Sequence, residues 1–144
     1  MTISEPNWQL SEIRNDSGPM LIRKLLNATR RSGNDYVIYL TFGCNTPPDG
    51  DGYYTSADSA TFEKIDETDI PALEITAEAI LVGAVSAPRV RDFIFYANDP
   101  QRFLNAAEHL RSQYPQFQIG CECKPDPDWA QYHDLPPSQP ENAG

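Results

Sequence analysis

At 144 residues, with 40% hydrophobic and 10% aromatic content, the chain has the composition of a globular protein and the length to bury a core without disulfide or metal staples. Its 21 Asp and Glu against 11 Lys and Arg give a formal charge of −10, so direct binding to nucleic acid or to an anionic lipid surface is not expected. The N-terminal MTISEPNWQL lacks a basic segment followed by an apolar core, and no apolar run approaches membrane-spanning length; the expectation is a cytoplasmic protein.

In chain order, residues 8–13 (WQLSEI) alternate as a short strand, and NDSG at 15–18 is a turn signal. Residues 19–26 return either as the second strand of a hairpin or as a short helix, and periodicity leaves both open. Arg23, Lys24, Arg30 and Arg31 form a partial cationic cluster, read as a solvated edge or loop because the surrounding charge is negative. Residues 27–34 are a polar loop. Residues 35–44 (DYVIYLTFGC) form a clear strand, with Tyr36, Ile38, Leu40 and Phe42 on one face and Val37, Tyr39 and Thr41 on the other.

Residues 45–55 (NTPPDGDGYYT) hold two prolines and two glycines, which predicts a long exposed loop of the kind that carries function on a rigid scaffold. Asp49 and Asp51 within it lack the later acceptors and closing Glu of a calcium loop. Phe62, Ile65, Ile70 and Leu73 then predict a helix starting near Ser56 or Asp58. Pro71 is expected to kink or break it near Asp69, because proline cannot bond the carbonyl of Glu67.

Residues 79–86 (AILVGAVS) read as a buried strand, joined by the short turn at 87–89 to a hairpin partner at 90–97 (VRDFIFYA). That partner places Phe93, Phe95 and Ala97 on one face and Asp92, Ile94 and Tyr96 on the other. Asp99 as N-cap and Pro100 at the first helical position begin a helix. Its apolar stripe is Phe103, Leu104, Ala107, Leu110 and Tyr114, and Pro115 stops it. Residues 117–123 (FQIGCEC) are a last strand, 126–135 (DPDWAQYHDL) an acidic and aromatic flap, and 136–144 a polar tail expected to be disordered.

The order strand, helix, strand, strand, helix, strand predicts one α+β domain over residues 1–135. Its expected architecture is a ferredoxin-like β-α-β-β-α-β antiparallel sheet with two helices on one face, preceded by an N-terminal β-hairpin. Trp8, the PPDGDG loop, RDFIFY at 91–96 followed by Asp99-Pro100, and the closing run of Asp126, Pro127, Asp128, Trp129 and Tyr132 together resemble the bacterial domain-of-unknown-function family 695, over about residues 8–135. The sequence departs from that pattern at Tyr53-Tyr54, where Leu-Pro is common, and at Pro71. Some relatives of this type are joined to a domain like the protein regulators of ribonuclease E, which implies protein binding by analogy.

No catalytic constellation emerges. His109 reads as an exposed helix residue, and His133 beside Asp134 has no nucleophile motif near it. Cys121-x-Cys123 has the wrong spacing for a zinc knuckle, and with Cys44 these thiols read as small apolar groups of a reducing compartment. Cofactors, metals and catalytic residues are therefore not expected. The predicted function is an acidic protein-binding module that regulates or neutralises a basic partner protein. Its binding residues would be Asp49, Asp51, Glu63, Asp66 and Glu67, with Trp129 and Tyr132 as aromatic anchors that could equally cap the core. The alternative is a small hydrolase or ligand-binding protein using a cleft between the 45–55 loop and the 126–135 flap, lined by Asp128, Tyr132 and His133. A homodimer through an open sheet edge is the third expectation.

Overall fold

The computed structural model describes residues 8–15, 18–26, 28, 33–48, 50 and 52–136. Asp49, Asp51, Arg30, Arg31, most of the 27–34 loop and residues 137–144 of the expected tail lie outside the described residues. Six strands, β1 (Trp8–Asn15), β2 (Gly18–Leu25), β3 (Tyr36–Cys44), β4 (Ile80–Ala87), β5 (Val90–Ala97) and β6 (Phe117–Pro125), form one sheet in the order β1-β2-β4-β5-β3-β6. Every neighbouring pair is antiparallel. The segment after the first turn is thus a strand, and the N-terminal hairpin extends the main sheet, with β2 joined to β4 from Leu21 opposite Ser86 to Lys24 opposite Gly83.

The alternating residues sort as strand geometry requires. Ile38, Leu40, Phe42, Phe93 and Phe95 point into a core shared with two helical elements, and Val37, Ile94 and Tyr96 point the other way. Phe42 sits at the centre of the first core, edge-on to Phe62, Phe93 and Phe117 at centroid distances of 6.0, 5.7 and 5.9 Å. That is the arrangement in which the positive ring edge meets the negative face.

The first helical element is one rod: α1 (Ser56–Lys64), a π-turn segment (Ile65–Asp69) and α2 (Ile70–Ala77). Its N-cap is Thr55, whose hydroxyl accepts from the Asp58 N–H at 3.0 Å. Of the kink or break expected near Asp69, an outright break does not occur, since a second α-helix follows directly at Ile70. Instead the ladder widens there, and the Ile70 N–H reaches back five residues to the Ile65 carbonyl. The wide turn accommodates Pro71, which has no N–H to give, and the rod continues to Ala77. Glu78 then ends it in the left-handed conformation at φ 53°.

The second helix, α3 (Pro100–Gln113), starts as the sequence requires: the Asp99 carboxylate accepts from the N–H groups of Gln101 and Arg102 at 3.1 and 3.2 Å. It buries Phe103, Ala107 and Leu110 in the same core as the rod. The opposite face of the sheet is covered by the flap, whose residues Ala130–Asp134 form a single-turn helix, α4. No helix among the described residues is long and apolar enough to cross a membrane.

Candidate functional site

A concavity of about 450 Å³ lies where the rod passes over the end of the hairpin and the start of β4. The walls are apolar at Trp8, Leu25, Ile70, Pro71, Ile80 and Leu81, and polar at Arg23, Asp66 and Glu74. It exists because the register of β2 with β4 stops at Gly83, leaving the first residues of β4 beside the rod instead of a strand. Part of that opening is closed by Glu74, whose Oε2 accepts the Leu81 N–H at 2.8 Å.

Asp66 comes from the π-turn segment, a feature that recurs at functional sites. Its Oδ2 receives Arg91 Nη2 at 2.6 Å, while Arg23 Nη1 stands off at 4.0 Å from the same oxygen. Arg91 also donates from Nη1 to Ser86 Oγ at 2.6 Å. The Arg23 guanidinium lies 4.6 Å from the centre of the Trp8 ring, within cation–π range. Two buried polar atoms of this network, Asp66 Oδ1 and Arg91 Nε, have no hydrogen-bond partner among the described residues. Burial pushes the Asp66 carboxyl up, against the pull of Arg91 and Arg23. Burial also lowers Arg23, and although Asp66 offsets this in part, neighbouring Arg91 adds to it.

The residues singled out from sequence do not gather in one place. Glu63 and Glu67 are exposed on the outer side of the rod, but Asp66 is turned inward and consumed by Arg91. Trp129 is 0% exposed and stacks on Tyr96 at 4.2 Å, with its indole N–H on the Asn34 carbonyl at 2.8 Å. Tyr132 is also buried; its hydroxyl donates to the Leu25 carbonyl at 2.6 Å and accepts from the Ala28 N–H. Both aromatics cap the second core, so their apolar area is already covered within the chain and they present no anchor outward.

The expected cleft between the 45–55 loop and the flap is corrected in the same way. Residues 44–45 and 53–54 are tied to Arg89 and Val90 at the C-terminal end of β3, and Tyr54 packs on the helix side against Phe62. The flap is tied to Asn34 and Asp35 at the N-terminal end of β3 and covers the other face. A nine-residue strand separates them, roughly 27 Å at the usual rise. Asp128 and His133 are exposed on the flap and His109 is exposed on α3.

What holds the flap is Asp126. Its carboxylate accepts from Tyr96 Oη at 2.6 Å and from the N–H groups of Ala130 and Gln131 at 2.9 Å each. Burial opposes ionisation there, yet these donors hold the carboxyl below its ordinary range. Lys24 is 1% exposed beneath the flap, its Nζ donating to the Leu135 carbonyl at 2.8 Å and standing 4.8 Å from the Tyr132 ring centre. The reading of Arg23 and Lys24 as a solvated cluster is thus overturned: successive residues of a covered strand point to opposite faces, one into the groove and one under the flap. The signal was their position inside the apolar run MLIRKLL.

All three cysteines are free. Burial pushes the Cys44 thiol up to about 12, with Asp58 adding to it, and the Cys121 thiol up to about 11, with Cys123 adding. Cys123 is exposed. Among the described residues no three His, Cys, Asp or Glu side chains are grouped to hold a metal ion.

Residues 6–135 match the model of DUF695, a family of unknown function. No curated protein and no solved structure matches the chain. The chain belongs to the DUF695 family.

Proposed function

We propose that this DUF695 protein is an acidic binding module that regulates or neutralises a basic partner protein. The observation that carries the reading is the exposed stripe of Glu63, Glu67, Pro71 and Ile75 along the rod, repeating every four residues, with Ile75 78% exposed. Among the described residues neither glutamate is in an ion pair. Charge at one end and bare apolar surface at the other match the anatomy of an interface with a steering rim and a desolvated centre. Occlusion is the mechanism: the glutamates pair with Lys or Arg of the target while Ile75 and Pro71 exclude water. Asp66 has no part in it, being tied to Arg91.

The partial order β4-β5-β3-β6, with helices joining β3 to β4 and β5 to β6, supports a ferredoxin-like unit extended by a hairpin. A reducing, cytoplasmic location is supported by the three free thiols.

The test is affinity capture from a lysate of the source organism at low and physiological salt, with the wild-type chain and a Glu63→Lys/Glu67→Lys variant in parallel. A basic protein held by the wild type should associate with the variant about tenfold more slowly and with a weaker salt dependence. Equal retention by both chains, or retention of nothing, would overturn the reading.

A further inference from the structure

The groove beside the rod has a chemistry of its own, sharing Pro71 with the acidic stripe but neither of its glutamates. Two guanidinium groups, Arg23 and Arg91, face one carboxylate, Asp66, and the short contact belongs to Arg91. One positive charge is left in excess within the triad. It resides on Arg23, which the Trp8 ring holds 4.0 Å from Asp66 instead of in direct contact. Among the described residues Arg23 has no other ion pair, and the groove in which it stands is otherwise walled by Trp8, Leu25, Ile70 and Pro71 and by Glu74, whose carboxylate accepts the Leu81 N–H.

We propose that this groove binds a small free monocarboxylic acid with an apolar body, its carboxylate on the Arg23 fork and its body against Trp8 and the apolar wall. The guanidinium and a carboxylate are both planar and pair through two parallel hydrogen bonds. A dianion such as phosphate fits worse, because Asp66 and Glu74 already balance the two guanidinium charges and Arg23 offers a single fork, which suits one carboxylate. The volume of about 450 Å³ falls within the range of small-ligand sites, roughly 300–1,000 Å³.

The test uses 3-phenylpropionate and its amide as probes. Titrations follow the two indole N–H resonances, one from Trp8 in the groove and one from the fully buried Trp129. The acid should shift the Trp8 signal saturably and leave Trp129 in place, with the amide about tenfold or more weaker. Arg23→Gln should abolish the difference between acid and amide, and Arg23→Lys should restore part of it; an unmoved Trp129 signal certifies the fold of both variants. Acid and amide binding alike, acid affinity unchanged in Arg23→Gln, or the absence of any saturable shift would overturn the proposal. So would a peptide with a free C-terminal carboxylate that binds where the free acid does not, since the site would then be one for chain ends. Charge reversal at Glu63 and Glu67 should leave acid binding unchanged, which separates this site from the partner surface.

Discussion

Replacing Asp126 tests how the flap is held. Its carboxylate receives one hydroxyl and two backbone N–H donors, all at 2.6–2.9 Å, and the residue is 8% exposed. Hydrogen bonds to a charged group contribute about 1.5–3 kcal/mol each, and those sharing one acceptor do not add fully. Asp126→Ala is therefore expected to cost about 3–5 kcal/mol, and Asp126→Asn, which keeps the shape and one acceptor oxygen, about 1–3 kcal/mol. The pH dependence has a definite sign. The folded carboxyl titrates below its ordinary value of 3.8, so its contribution is fully present above that value and is lost as pH falls through the folded one. Urea unfolding of the wild type and Asp126→Asn at neutral pH and near pH ~3 reads this directly: the gap should be large at neutral pH and shrink in acid. Near-ultraviolet circular dichroism of the stacked Tyr96 and Trp129 reports the flap itself. A gap under about 0.5 kcal/mol at neutral pH, or one that does not change with pH, would refute the reasoning.

Asp66→Ala strands Arg91 and Arg23 in a poorly solvated place and is expected to destabilise the chain by about 3 kcal/mol, whereas Asp66→Leu with Arg91→Met should recover most of the loss in the same unfolding assay. At Gly83 an added Cβ would lie 2.5 Å from Leu135 Cδ2 and 3.3 Å from the Arg23 carbonyl. Gly83→Ala should therefore cost about 1–3 kcal/mol, and adding Leu135→Ala should relieve the side-chain share of the clash but not the backbone one. In a thiol titration of the native protein near neutral pH, Cys123 should react promptly and Cys44 and Cys121 only after unfolding, because the thiolate is the reactive form; three equally fast thiols would contradict their burial.

The parts of the fold that were legible in the sequence are those in which one local rule decides. Period-two alternation in residues 36–42 and 90–97 assigned each side chain to the correct face, and Asp99-Pro100 fixed the start of α3 because cap and proline agree. Residues 19–26 were ambiguous because a short apolar run fits either period, and pairing on both sides settled it. Pro71 coincides with an interruption of the α-helix near Asp69, but the form of that interruption is not legible in the sequence. The rule against proline in a helix assumes an i→i+4 ladder, and the π-turn removes that assumption. The groove was not legible at all, since its lining residues come from β1, β2, the rod and β4, far apart in the chain. Asp66 could not be told from Glu67 by type. Only the packing of the rod on β5 decides which carboxylate meets Arg91.

The hairpin is what turns this sheet into a scaffold with two distinct sites. Without β2, β4 would be an edge strand, and the rod would cover it with no wall opposite. With β2 in place, one strand serves both faces: Arg23 stands in the groove beneath the rod, and the next residue, Lys24, anchors the flap through the Leu135 carbonyl. Strand geometry forbids the two from sharing a side, so these two members of the cationic cluster Arg23, Lys24, Arg30 and Arg31 are divided by the thickness of the sheet. The division also separates their consequences. A change at Arg23 acts on an open groove whose other polar groups keep their partners, whereas a change at Lys24 frees a buried carbonyl and the lid above it. Loss of ligand binding without loss of stability therefore identifies the rod side, and loss of stability with the groove intact identifies the flap side.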